Sequence, residues 1–295
     1  MPRPIETFAG CLFTVITLAW APGASAQVDN ANPNHAAIRE YGRIERHGAT
    51  ATLVAAGSRP LDIAAATLSA CLGISVSSED PRYHYLGDLL DVTAPQWSAE
   101  HPLSHVYAAR PGKVEITFPV LADGSPADTL KLLADTAHQA NQRQPYAYKV
   151  YARTLPNKTI YSFVPTRTHD ENGVLKAVAA SLDTSVTIPP QTNQIANLAS
   201  EMARQVSKSS GLQFSCCQSL VAGWPWGGKS ITYRADHIPA REALEDLMLK
   251  DGSAEIYSLR CELLDQRFCF IDVFPVTDNR QAPNGECPAA GSDPR

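Results

Sequence analysis

The side chains best equipped for chemistry crowd into one stretch: His84, Asp88, Asp91, Glu100, His101 and His105, interleaved with Tyr83, Tyr85, Trp97 and Tyr107. Imidazole nitrogens and carboxylate oxygens are the donor set of a divalent cation. His101 and His105, four apart with Glu100 beside them, come nearest to a ligand triad. The pattern is not the helical H-E-x-x-H of metalloproteases, and Pro102 opposes a regular helix through the pair. Such spacing constrains little, so surface histidines and loop-packing aromatics are the simpler account. Trp97, Tyr83 and Tyr85 are then candidate anchors for a peptide or ligand. A second aromatic group, Trp224 and Trp226 in the turn Trp224-Pro-Trp-Gly-Gly228, reads as an exposed interaction knob or as a cap on a sheet core.

Other chemistries lack a sequence carrier. There is no G-x-S-x-G elbow, and Gly223–Lys229 has neither the spacing of a phosphate loop nor the following helix. No cofactor is expected. Acidic residues outnumber basic ones, 30 to 25, for a net charge of −5, which argues against general affinity for nucleic acid or an anionic membrane.

Residues 1–26 follow the plan of a cleavable export signal: Arg3, an apolar run from Phe8 to Ala21, then Ala24-Ser25-Ala26 as a small-x-small cleavage site. The run is shorter than the ~20 residues that span a bilayer, so no stable membrane insertion is expected after cleavage. Cys11 opens the apolar run, whereas a lipidation cysteine would close it. The other six cysteines, Cys71, Cys216, Cys217, Cys261, Cys269 and Cys287, then meet an oxidising compartment, where an even count invites disulfides. Cys261 and Cys269 flank a predicted hairpin and face each other across its strands. Cys216, Cys217 and Cys287 are further disulfide candidates, and Cys71, on the apolar face of a helix, reads as a buried free thiol.

The elements that must position these residues repeat. Thr50–Ala56 and Ile74–Ser77 read as strands around a helix after Pro60, with Leu61, Ala64, Ala65, Leu68 and Leu72 on one face. Residues 78–112 interrupt the pattern as an insert. Val114, Ile116 and Phe118 alternate as in a half-buried strand. A helix opens with Ser125 as N-cap and Pro126 at its first position, and Leu130, Leu133, Ala134 and Ala137 are its expected stripe. Tyr146–Arg153 and Thr159–Pro165 form a hairpin. The order returns after Leu182: strand Ser185–Pro189, a helix carrying Ile195, Leu198, Ala199, Met202, Ala203 and Val206, a stop at Gly211, and strands Leu212–Cys216 and Ser230–Ala235. A helix from Pro239 and the hairpin strands Ala254–Cys261 and Phe268–Phe274 follow. The expected class is α+β, two tandem β-α-β-β-α-β-β domains (50–166 and 183–275) with helices packed on small mixed sheets. Residues 27–49 and 276–295 read as flexible ends, 167–182 as a linker with a turn at Glu171-Asn-Gly173.

The second copy carries a resemblance. "SGLQFSC" after an amphipathic helix, "SLVAG" at Ser219–Gly223 and "IPAREALEDLML" at Ile238–Leu249 are similar to the STN domain, the short N-terminal module of secretins and TonB-dependent receptors. The first copy matches by element order and departs through its insert. The resemblance implies a non-catalytic, partner-binding protein of the bacterial cell envelope, periplasmic rather than extracellular, with an envelope protein as partner. The exposed edge strands expected of such sheets also suit a homo-oligomer. An exported hydrolase or metal-binding protein with its site in the insert is the alternative, and a ligand- or glycan-binding module a third.

Overall fold

The computed structural model describes residues 42–102, 104–120, 125–144, 146–155, 158–216, 229–251, 255–261, 263 and 268–275. The export signal at 1–26, Cys217, Cys287, Trp224, Trp226 and the 276–295 tail lie outside the described residues.

The chain is α+β, with helices packed on mixed sheets. In the first half, β1 (Arg43–His47), β2 (Thr50–Gly57) and β6 (Gly112–Pro119) form a three-stranded antiparallel sheet. Helix α1 (Pro60–Leu72) leads from β2 to β3 (Ser75–Glu79), and α3 (Pro126–Arg143) leads from β6 to β7 (Ala147–Thr154) and β8 (Thr159–His169). The insert between β3 and β6 carries β4 (Leu89–Asp91), α2 (Pro95–Glu100) and β5 (Tyr107–Ala109), followed after β8 by the short β9 (Leu175–Ala177). In the second half β10 (Ser185–Gln194), α4 (Ile195–Ser210), β11 (Gln213–Cys216), β12 (Ser230–Pro239), α5 (Ala240–Asp251), β13 (Glu255–Cys261) and β14 (Phe268–Pro275) follow.

Strand pairing repeats as well as order. β3 runs parallel to β8, and β7 antiparallel to β8; likewise β11 is parallel to β14 and β13 antiparallel to it. What element order does not reveal is the join. β13 pairs in parallel with β3, Ser258 with Ser78 and Leu259 with Glu79, so both halves share one sheet, β11-β14-β13-β3-β8-β7, with β9 on β8. β3 therefore points opposite to its counterpart β11, and the halves are related by a half-turn about an axis across the strands. Side-chain alternation bears this out. In β8, Ile160 enters the second half's core with Tyr257 and Leu259, while its neighbours Tyr161 and Phe163 enter the first half's core with Val76. The two pairs of helices thus lie on opposite faces of the shared sheet.

Local signals explain most elements. Ser125 caps α3, its Oγ accepting from the Asp128 N–H at 3.2 Å, and Gly211 ends α4 at φ 71° with its N–H on the Ser207 carbonyl. Both are the roles their side chains fit. All six apolar residues expected on α4 are buried. The α3 stripe is rotated from expectation: Leu130 is 42% exposed and Ala134 also faces solvent, while Thr129, Leu132, Leu133, Thr136, Ala137 and Ala140 are buried. The Thr136 hydroxyl donates to the Leu132 carbonyl at 2.7 Å, so a threonine can enter the core with its polar atom satisfied, which apolar counting overlooks.

Two segments are more ordered than their composition suggests. Part of the expected flexible 27–49 stretch is β1, anchored by buried Ile44 and turned into β2 at Gly48, φ 61°. The 167–182 linker contains the end of β8 and β9 as a hairpin, whose turn holds Gly173 at φ 77° while Asp170 Oδ1 accepts the Asn172 and Val174 N–H groups. Pro239 ends β12, and α5 starts one residue later. Among the cysteines, Cys261 and Cys269 sit opposite each other in register and are bridged. Cys71 is disulfide-bonded, as is Cys216, so the free-thiol reading of Cys71 is corrected.

Candidate interaction site

The insert forms an arm with a rigid root. Where β3 ends, the Asp80 N–H donates to the Leu259 carbonyl at 2.8 Å. Buried Arg59 binds Asp80 at 2.7 Å and also donates to the Cys261 carbonyl at 3.3 Å, while the Cys261 N–H donates back to Asp80 at 3.2 Å. Burial pushes the Asp80 carboxyl up even with Arg59 beside it. The disulfide's own backbone thus ties the arm to the second half.

Beyond the root the chain lies against β8. The Thr168 hydroxyl donates to the Arg82 carbonyl at 2.8 Å, and His169 Nδ1 lies 2.9 Å from both oxygens of buried Asp88. Tyr85 meets the His169 ring edge-on, centroids 5.5 Å apart. Leu89, Ala109, Tyr83, Tyr146 and Leu263 make a small core of their own. Tyr83, packed edge-on to Tyr146 at 5.3 Å and only 3% exposed, is part of that core and presents no surface to a partner. The Tyr83 expectation is corrected accordingly; an aromatic side chain in a loop can be the loop's own hydrophobic anchor.

The outer part of the arm is the β4–β5 hairpin with α2. Asp91 accepts the Thr93 hydroxyl at 2.5 Å and the Thr93 N–H at 2.9 Å, and lies 2.8 Å from His105 Nδ1. Led by the Thr93 hydroxyl, these bonds hold its carboxyl down at about 2. Helix α2 stops at Glu100, as Pro102 requires, and His101 turns back over Trp97 with ring centroids 4.2 Å apart. His101 and His105 therefore have different partners. Among the described residues no group of three or more His, Cys, Asp and Glu side chains is placed to hold a metal ion, so Glu100, His101 and His105 do not assemble as a triad.

The arm's exposed surface carries large apolar side chains among its polar ones. Leu86, Leu90, Val92 and Trp97 are four of the six large hydrophobic side chains that stand exposed among the described residues. Trp97 is the one legible in advance. The three aliphatic residues were missed because Leu86 lies in a short helical turn and Val92 beyond the end of β4, where no strand period applies. Alternation in so short a strand does not say which face is covered, although Leu89 inward and Leu90 outward follow the period of two.

The chain matches no protein-family model, no curated protein and no solved structure. No described helix is long and apolar enough to cross a membrane.

Proposed function

We propose that this is an exported, non-catalytic protein of the bacterial cell envelope, periplasmic in location, whose two halves are STN-like and whose arm between β3 and β6 grips a protein partner. The observation that carries the reading is the concentration of exposed apolar surface on a well-anchored arm, since large exposed hydrophobic side chains gathered in one place mark contact sites. Trp97, held by His101, is the natural central anchor. The repeated element order and pairing support the STN-like reading, as does "IPAREALEDLML" falling on the end of β12 and on α5. The metal-dependent alternative has no ligand set among the described residues to carry it.

A photo-crosslinking amino acid in place of Trp97, introduced into the full chain in its native envelope, tests the proposal. The expected result is a discrete adduct with one protein, lost when Leu90 and Val92 are replaced by serine. An absence of any adduct, with the variant folded and exported, overturns it.

A further inference from the structure

The contact between the halves is built largely from charge, and one member of it is out of balance. Four arginines cross it: Arg59 to the Cys261 carbonyl at 3.3 Å, Arg260 to Asp62 at 2.7 Å, Arg241 to Glu79, and Arg153 to the last helix. Arg241, buried on α5, grips Glu79 of β3 with two bonds of 2.6 and 3.1 Å and reaches Asp183 at 2.5 Å. Arg153 of β7 gives its best bonds to Asp246 at 2.7 Å and the Glu242 carbonyl at 2.8 Å. Its contact with Glu245 is the longest, at 3.4 Å.

Glu245 is fully buried at this contact. Its Oε2 has only the long Arg153 bond, and its Oε1 has no hydrogen-bond partner among the described residues. Facing it are Arg153 and Tyr151 from β7, Glu79 from β3, Tyr257 from β13, and Arg241 from its own helix, with Glu242 and Asp246 alongside. Tyr233 of β12 reaches Asp246, and Asp183 sits beyond Arg241, whereas α4 buries only apolar side chains. Two guanidinium groups thus serve five carboxylates, counting Asp183, and one carboxylate is left poorly served. An ionised carboxylate in that position is costly to keep out of water.

We propose that Glu245 is a proton-operated latch: protonated, it lets α5 seat against β7 and β8, and ionised, it loosens the contact between the halves. Burial, against the partial pull of Arg153 and Arg241, pushes its carboxyl up to about 7. A carboxyl raised on folding contributes stability that is fully present below its unfolded value and is lost as the pH rises through the folded one. With the ordinary value at 4.5 and the folded one at about 7, the opening equilibrium of this contact increases roughly tenfold between pH 6 and pH 8.

The test uses the full chain with 13C-labelled glutamate carboxyls. One carboxyl signal that titrates near neutrality and vanishes in Glu245→Gln is expected. Hydrogen exchange of α5 and β7 amides, normalised to intrinsic rates, is expected to quicken about tenfold from pH 6 to pH 8 in the parent. In Glu245→Gln, a neutral isostere, it is expected to stay level. If every glutamate carboxyl titrates below about 5.5, or if exchange shows no pH dependence beyond the intrinsic rate, the latch is overturned. The parent's titration and exchange decide the matter even if the glutamine variant fails to fold.

Discussion

The side-chain amide of Asn141 hydrogen-bonds both backbone groups of Tyr148: the Tyr148 N–H donates to Oδ1 at 2.8 Å, and Nδ2 donates to the Tyr148 carbonyl at 3.0 Å. β7 is the last strand of the shared sheet, and Tyr148 stands opposite Pro165 beside a register shift. An edge strand offers unpaired groups to any passing strand, and here an asparagine from α3 occupies them as a neighbouring strand would.

Asn141→Ala leaves a half-buried N–H and C=O without partners. The expected cost is about 1–3 kcal/mol, read as a lowered urea midpoint with an unchanged slope. A second expected outcome is concentration-dependent association, absent in the parent and visible by light scattering, because the β7 edge becomes available.

The buried Glu79–Arg241 pair is the second target. Tyr257 donates to Glu79 at 2.9 Å and Ser162 lies 3.1 Å from the Tyr257 hydroxyl, so the pair anchors a polar chain through the shared sheet. Arg241→Met strands a buried carboxylate, with an expected loss of about 3–5 kcal/mol. Glu79→Gln combined with Arg241→Met is expected to cost less than the two separate losses together, as measured by chemical denaturation of all four proteins.

Tyr85 sits between two glycines. A Cβ on Gly87 would lie 2.2 Å from its ring, and one on Gly173 would lie 3.0 Å from it. Gly87→Ala is expected to expel Tyr85 from His169 and to cost about 1–3 kcal/mol, with faster hydrogen exchange confined to the arm. In a Tyr85→Ala background the same glycine substitution is expected to be nearly neutral.

Asp62 sets the behaviour in acid. Burial alone would raise its carboxyl, but Arg260 and the hydroxyls of Ser78 and Ser258 outweigh burial and hold it below its ordinary value of 3.8. Its contribution is therefore present above that value and is lost as the pH falls through the lower, folded one. Asp62→Asn is expected to be clearly less stable than the parent at neutral pH, and the difference is expected to shrink toward about pH 3, followed by denaturant midpoints across that range.

The order of elements was legible because each local signal is short-ranged: a serine cap, a proline at a first helical position, a glycine stop, a 3.6-residue stripe on α4. The Cys261–Cys269 bridge was legible for the same reason, since a hairpin of known strands places its ends in register. What escaped was the set by which the halves meet. Nothing near Ser75–Glu79 in sequence indicates that this strand is buried on both faces, for it reads Ser-Val-Ser-Ser-Glu; its polar atoms are satisfied by Tyr257, Arg241 and Asp62. Charged residues at Arg59, Asp62, Arg153, Glu245 and Arg260 look like solvated surface until the partner half is in place. The arm shows the reverse failure, in that Tyr83 looks available and is internal.

The join of β13 to β3 also imposes an order of events on a newly made chain. Glu79 waits for Arg241, 162 residues later, and for Tyr257, 178 later, while Asp62 waits for Arg260 across 198. A nascent first half thus emerges with one edge of β3 unpaired and with Glu79 and Asp62 lacking their arginines. Closure falls to nearly the last strands synthesised, and contacts of such long range form slowly. For a chain exported as proposed above, that delay would keep the leading half pliant until the trailing half arrives to lock it.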